Sequence, residues 1–363
     1  MNLLIFNITV DADDPVLGFT TDWTNEIARR FEHVFVITMR AGRIDVAPNV
    51  EVLSIGGEKG YSRPRRVLEF YRRLTTLLRS RKIDACFAHM TPLMSIMGAP
   101  LLRLFRVPPF LWYAHGHVSL TLRIAERAVD RIITSSPHGC RLGSSKILVT
   151  GQGIDTHRHA FRAHRLHRDR LRLLYAGRLS PVKGLHILID ALALFSRRSK
   201  TPFRMTLVGA PQTAADRHYT ARLKQRVLES GLAGCVDFAG AQNRDRMSVW
   251  YRECDVFINP SDTGSMDKTV LEAMATGSLA VTGNSSFDTD EYRSAGGFFA
   301  RNDAGSICSM LCHILSLTDE DLAARAARGR EWVECCHSLA ALAQKIHLQA
   351  ADLLAQKGAL PGP

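Results

Sequence analysis

The sequence predicts an α/β protein of two domains, each a parallel sheet with helices on both faces. Three observations carry this. At 363 residues the chain exceeds what one hydrophobic core ordinarily serves. Short apolar runs alternate with longer stretches of helical period from end to end, the mark of strand–helix–strand units. Near the middle, residues 157–170, HRHAFRAHRLHRDR, break that alternation with histidines and arginines in no apolar period. This segment reads as a solvated linker. A histidine metal site is the alternative, but its spacing follows no familiar ligand pattern.

In the first half the runs at 3–7, 34–38, 50–54, 85–89, 110–114, 131–134 and 147–150 predict strands. In the second half those at 171–175, 204–208, 236–239, 256–259 and 279–282 do the same. Runs such as VFVIT at 34–38 are apolar without alternation, as strands covered on both faces require. Helical patterns fill the gaps, for instance 185–195 and 221–229, the latter closed by Gly231. Asn243 is placed to cap a helix running to Cys254. Residues 65–79 form an amphipathic helix with Val67, Phe70, Tyr71, Leu74, Leu77 and Leu78 on one side. Arg65, Arg66, Arg72, Arg73 and Arg79 lie on the other. Its basic side is either a solvated face or a site for anionic lipid headgroups. The expected domains are 1–160 and 161–335, with 336–363 a helix and tail that cross back to the first domain.

Composition narrows the class. With 46% hydrophobic and 23% charged residues, the chain is of the soluble globular kind. Met1 is followed almost at once by LLIF with no basic segment or cleavage site, so a cytoplasmic protein is expected, with the inner face of the membrane as a candidate location. The apolar stretch at 90–113 is interrupted by Arg103, Arg106 and prolines and does not read as a span. Eight cysteines without CxxC spacing suit reduced thiols. A net charge of +12 favours anionic partners: nucleic acid, an anionic membrane surface or a phosphate-bearing substrate. No nucleic-acid motif accompanies the charge, so nucleic acid is not expected.

The chemistry gathers in the second half. In YAGRLSPVKG a strand ends at Gly177, Arg178 follows, and Lys183 precedes a glycine and a helix. Ligands of open α/β sheets bind beyond the carboxyl ends of strands, and two cations there suit a diphosphate. Surface basicity in a basic protein is the plain alternative for the pair. In LVGAP a second strand ends at Gly209, which lets a ligand approach the backbone. In DTGSMDKTVLEAMATG, Ser265, Met266, Asp267, Lys268 and Thr269 lead into a helix N-terminus, another anion site. Glu272, inside that helix, suits the cis-diol of a ribose.

GRLSPVKG, LVGAP, VDFAG, DVFINPS and VLEAMATGSLAV, in this order and spacing, resemble the nucleotide-sugar-binding domain of the GT-B glycosyltransferases, specifically the large retaining family 4. LGFTTDW, LWYAHGH and GQGIDT extend the resemblance weakly into the first half. It implies two Rossmann-like domains facing each other across a cleft. It also implies transfer of a sugar, with retention of anomeric configuration, from a nucleoside-diphosphate sugar to a glycan or lipid-linked acceptor. By the same resemblance Arg178 and Lys183 hold the diphosphate as it leaves, Glu272 holds the ribose, His115 faces the donor sugar, and Gly18 approaches the phosphates. Neither metal nor cofactor is implied, the nucleotide sugar being a substrate. The family's paired acids are separated by seven residues, and the first falls on Gly264 here, which leaves Asp267 as a candidate for the missing sugar contact.

Other readings follow from the same residues. The acidic runs Asp11-Ala-Asp13-Asp14 and Asp288-Thr-Asp290 would suit a metal-dependent transferase. A nucleotide-sugar epimerase would share the donor site, and the absent acid at 264 would suit a non-catalytic nucleotide-sugar binder.

Overall fold

The computed structural model describes residues 1–14 and 16–358, so the expected tail beyond Gly358 lies outside the described residues. The chain forms two compact units, 1–153 with 339–363, and 154–338. The division falls before residue 160 because residues 154–160 belong to the second unit. There Ile154 bridges to Ser338, and Arg330 donates to the carbonyls of Thr156 and His159.

The first unit is built on seven parallel strands: β1 (Asn2–Val10), β2 (His33–Ala41), β3 (Val50–Ser54), β4 (Ala85–His89), β5 (Pro109–Trp112), β6 (Arg131–Thr134) and β7 (Ile147–Val149). Their order is β3-β2-β1-β4-β5-β6-β7. The chain moves one way across the sheet to β3 and then the other way from β4. Right-handed crossovers therefore send the early helix to one face and the later helices to the opposite one. Helix α1 (Phe19–Ala28) occupies the first face. Helices α2 (Arg63–Ser80), α3 (Pro92–Leu104) and α4 (Leu120–Ala128) occupy the second, burying Phe70, Leu74, Leu102 and Leu122 against β1, β4 and β5. The final helix α12 (Leu339–Gly358) lies beside α1. Its Leu339, Leu342, Ala343, Ile346, Ala350 and Leu353 recur at helical spacing and are all buried there.

The second unit has six parallel strands: β8 (Leu171–Ala176), β9 (Phe203–Val208), β10 (Val236–Gly240), β11 (Val256–Asn259), β12 (Leu279–Thr282) and β13 (Phe298–Phe299), ordered β10-β9-β8-β11-β12-β13. Helices α5 (Leu185–Arg198), α6 (Ala214–Glu229) and α10 (Ala304–Ser316) cover one face. Helices α7 (Arg244–Glu253) and α8 (Lys268–Thr276), with the short α9 (Asp290–Ser294), cover the other. Helix α11 (Asp319–Trp332) packs on α8. The order reverses between β8 and β11, and that reversal opens a crevice at the carboxyl ends of these two strands.

Several local expectations hold. Asn243 accepts from the amide of Arg246 at 2.9 Å and caps α7, and α8 ends at Gly277 with φ 89°. Others change. Helix α6 begins well before residue 221, because Thr213 and Asp216 close a reciprocal capping box. The two-residue β13 was missed, being too short to show a period. On α2 the apolar side is not wholly covered: Val67 and Tyr71 are exposed, and Leu68, outside the expected stripe, is 67% exposed.

The histidine-rich segment is not a solvated linker. Several of its polar side chains bond the second unit. His164 bonds the carbonyl of Gly277, His167 meets the buried Asp255 at 2.7 Å, and Arg168 donates to the carbonyls of Leu315 and Leu317. Leu166 joins the core. The segment is a strap, and its lack of period reflects contacts made residue by residue with several elements.

Candidate functional site

The crevice between β8 and β11 collects most of the residues singled out by sequence. Gly177 follows β8 with φ 153° and Gly209 follows β9 with φ 140°. The two turns are stacked. A Cβ on Gly209 would lie 1.9 Å from the carbonyl oxygen of Gly177, and the Gly177 amide bonds the carbonyl of Val208 at 3.0 Å. Both glycines are therefore required by the chain's own packing.

Arg178 leaves this turn exposed to solvent. Its Nε lies 3.2 Å from Ser180 Oγ and its terminal nitrogen only 3.5 Å from Gln212, so no carboxylate neutralises it in these bonds. Lys183 ends a short 3₁₀ turn, Pro181–Lys183, before the left-handed Gly184 that opens α5. It reaches across the crevice: Nζ donates to Asp267 Oδ1 at 2.9 Å, with the two side chains 19% and 14% exposed. The N-terminus of α5 itself is not left open, because Tyr219 accepts from the His186 amide.

Asp267 is the junction of the site. Its Oδ2 accepts from Asn259 Nδ2 at 2.8 Å, from Asn284 Nδ2 at 2.9 Å and from Ser261 Oγ at 3.0 Å. Asn284 also donates to the carbonyl of Ser265 at 2.7 Å. Asp267 stands at the N-cap position of α8, yet its carboxylate makes no capping bond to the helix. The first turn, entered through Lys268 and Thr269, is thus without a side-chain cap, which is the arrangement that accepts an anion. Met266 contributes backbone only, its side chain being buried in the core. Gly264 has φ 69°, a backbone region that an acidic side chain adopts at a cost, which gives a local reason for the glycine there.

Glu272 is engaged within the second unit. One oxygen accepts from Tyr251 Oη on α7 at 2.9 Å, and the other lies 4.0 Å from Nε2 of the buried His159. Burial holds Tyr251 well above the ordinary tyrosine range, helped by the Glu272 charge, so the phenol stays protonated and donates. Burial likewise lowers the His159 pKa against an opposing pull from Glu272.

Two predicted residues lie in the first unit. Gly18 precedes α1 with an ordinary φ of −54°, and a Cβ there would be 2.6 Å from the carbonyl of Asp14. The loop's own closeness demands glycine. His115 follows β5 and is exposed, and its Nδ1 accepts the His117 amide at 3.1 Å. A neutral ring then carries its proton on Nε2. The acidic runs are engaged by arginines: Asp14 with Arg40, Asp13 with Arg43, Asp288 with Arg293. Sequence reasoning missed Asn259, Ser261 and Asn284, whose only signal was their position at the ends of β11 and β12.

Two Rossmann-like units, one with cations and an uncapped helix start at its switch point, define the GT-B class of fold. Residues 157–317 match the family described as Glycosyl transferases group 1. The D-inositol 3-phosphate glycosyltransferase of Jonesia denitrificans is 33% identical over 115 residues, 30% of this chain and 26% of that protein. The putative colanic acid biosynthesis glycosyltransferase WcaL of Escherichia coli is 26% identical over 197 residues, 52% of this chain and 47% of that one. These matches span less than half of each relative. Among solved structures, Anabaena HepE in complex with UDP superposes with a TM-score of 0.73 at 18% identity, covering 97% of this chain and all of that one, which is a likeness of fold. No helix of the described residues is long and apolar enough to cross a membrane.

Proposed function

We propose that this protein is a glycosyltransferase that moves a sugar from a nucleoside-diphosphate sugar to a glycan or lipid-linked acceptor, retaining the anomeric configuration. The observation that carries the reading is the Lys183–Asp267 contact at the β8/β11 switch point, set beside the uncapped start of α8 in the family-matched segment.

The residues suit the reaction. As the glycosidic bond breaks, negative charge grows on the departing diphosphate. Lys183 spends one ammonium donor on Asp267 and keeps two for that charge. Arg178, whose side chain is hydrogen-bonded to the neutral Ser180 and Gln212, brings its planar fork to the same oxygens. The α8 amides add fixed dipoles, and donors aimed at developing charge contribute roughly 10²–10³ in rate each. The departing phosphate oxygen is the base that takes the acceptor's proton, on the same face of the sugar, which keeps the configuration. Glu272, oriented by Tyr251, offers its remaining lone pairs to the ribose hydroxyls. The nucleotide sugar is a substrate, and no cofactor or metal takes part.

A thermal-shift panel of nucleotide sugars identifies the donor, and nucleotide release is then followed with candidate acceptors. Release that requires acceptor, with an α-linked product from an α-linked donor, is the expected result. Donor epimerisation without acceptor would replace transfer by an epimerase, and binding without turnover would leave a nucleotide-sugar-binding protein.

A further inference from the structure

The face of the second sheet that carries α7 and α8 is left open at one corner. The chain leaves β10 at the sheet edge and returns to β11 through α7, which packs on β8 and α8. Helices α5 and α6 cover β9 and β10 from the opposite face. Alternation then decides what the open corner shows. Phe203, Met205 and Leu207 turn into the core, so Arg204 and Thr206 turn out. The register that pairs Thr206 with Asp237 sets Asp237 and Ala239 beside them. Trp250 and Glu253, one helical turn apart on α7, form a wall. With Arg172 and Leu174 of β8 these residues enclose a cavity of about 400 Å³, within the size range of ligand sites.

The cavity is separate from the donor crevice. Arg172 and Arg204 each lie five residues before the glycine that follows their strand, about 16 Å away along extended chain. Its charges are largely settled within the chain: Arg204 is bridged to Asp237, and Arg172 to the buried Asp255 at 3.2 Å. Glu253 is exposed and has no ion pair or hydrogen bond among the described residues. The thiol of Cys254, at the cavity floor, donates to the Tyr251 carbonyl at 3.3 Å, and burial pushes its pKa up to about 12. No activated nucleophile is offered, so the cavity is suited to binding and not to reaction.

We propose that this cavity holds a neutral sugar residue of a glycan, stacked on Trp250. An anion there would meet Glu253 and Asp237, and a cation would meet Arg172 and Arg204. A polyol carries a donor and an acceptor on every hydroxyl, so it uses groups of both signs at once. Glu253 accepts from a pair of hydroxyls, Arg204 donates from its terminal nitrogens, and the Thr206 hydroxyl does either. The C–H face of a pyranose is apolar and matches the indole. A glycan held here stays with the protein between rounds of transfer, at a raised effective concentration. That consequence rests on the proposed transfer, whereas the binding does not.

The test is saturation-transfer NMR of the purified chain with the methyl glycosides of glucose, galactose, mannose and N-acetylglucosamine. Binding of at least one is expected. Trp250→Ala should abolish it, and Glu253→Ala and Thr206→Leu should each weaken it about tenfold or more. Glu253 is exposed, so its variant keeps the wild-type melting point and carries the test if Trp250→Ala unfolds. Phenyl phosphate and phenyltrimethylammonium, which stack but carry charge, are the comparison probes. Binding of none of the four glycosides overturns the proposal. So does wild-type affinity in both Glu253→Ala and Thr206→Leu, or tighter binding of either charged probe than of every glycoside. The readout is binding at a site outside the crevice, so it stands or falls apart from sugar transfer.

Discussion

Lys183 and Asp267 meet at 2.9 Å between a turn after β8 and the first residue before α8, and the carboxylate keeps three further donors on its other oxygen. A ligand diphosphate can therefore draw on the Lys183 ammonium without displacing Asp267, which Asn259, Ser261 and Asn284 hold in place. The sequence left Asp267 as a candidate for sugar contact. Its four bonds within the chain support instead a part in holding the loop and the lysine.

Asp267→Ala should accordingly weaken the nucleotide sugar and the free nucleoside diphosphate by the same factor. It should also cost about 2–4 kcal/mol of stability, because donors that are largely buried lose their acceptor. Calorimetric titration of both ligands and urea unfolding are the measurements. A loss confined to the nucleotide sugar would return Asp267 to the sugar.

The stacked glycine turns give a second prediction. Gly209→Ala places a methyl carbon 1.9 Å from the Gly177 carbonyl at φ 140°, so the turn that carries Arg178 must move. Destabilisation of about 3 kcal/mol or more is expected, together with weakened donor binding. Gly234→Ala, where an added carbon meets nothing within 4 Å, should change stability by less than about 1 kcal/mol. Comparable unfolding midpoints for the two variants would contradict the stacking.

Much of this was legible beforehand, for identifiable reasons. Strands buried on both faces write unbroken apolar runs, as at 34–38 and 256–259, and glycines at strand ends are forced by backbone geometry that sequence records directly. What stayed hidden depends on partners distant in sequence. Asn284 and Asn259 are unremarkable as letters, and gain meaning only when β11 and β12 lie side by side and aim both amides at Asp267. The strap at 157–170 misleads for the same reason, since its contacts reach to residues 255, 277 and 315. Leu68 was invisible because a helical pattern tells which residues can share a face, and only the packed layer tells which face stays open.

Stability should fall on mild acidification. Burial lowers the pKa of His159 and of His164 below the ordinary value of 6.5, so the unfolded chain binds these protons more readily. The neutral rings are fully accommodated above pH 6.5, and stability is lost as pH falls below it. The slope is up to about 1.4 kcal/mol per pH unit for each ring until its own lowered pKa is passed. Urea unfolding between pH 8 and pH 5 measures this, and His159→Gln should flatten the curve by about one ring's share. An unchanged slope in that variant would show that His159 does not titrate with unfolding.

The sharpest prediction concerns Arg178. Its guanidinium is exposed and hydrogen-bonded to Ser180 and, at long range, to Gln212, so it is available to a ligand. If its value rises as charge develops on the leaving diphosphate, Arg178→Ala should lower turnover by roughly 10²–10³ while weakening donor binding far less. Arg178→Lys should rescue only part of the loss, because an ammonium cannot reproduce the planar fork. Lys183→Ala should cost both binding and turnover, since it also leaves Asp267 without its cation. Turnover by the unaltered protein should persist in chelator, protein cations being the only ones the scheme uses. The measurement is nucleotide release at saturating donor with the matching acceptor. Wild-type rates from the Arg178→Ala, Lys183→Ala double variant would remove the diphosphate site from the β8/β11 crevice and the proposed transfer with it.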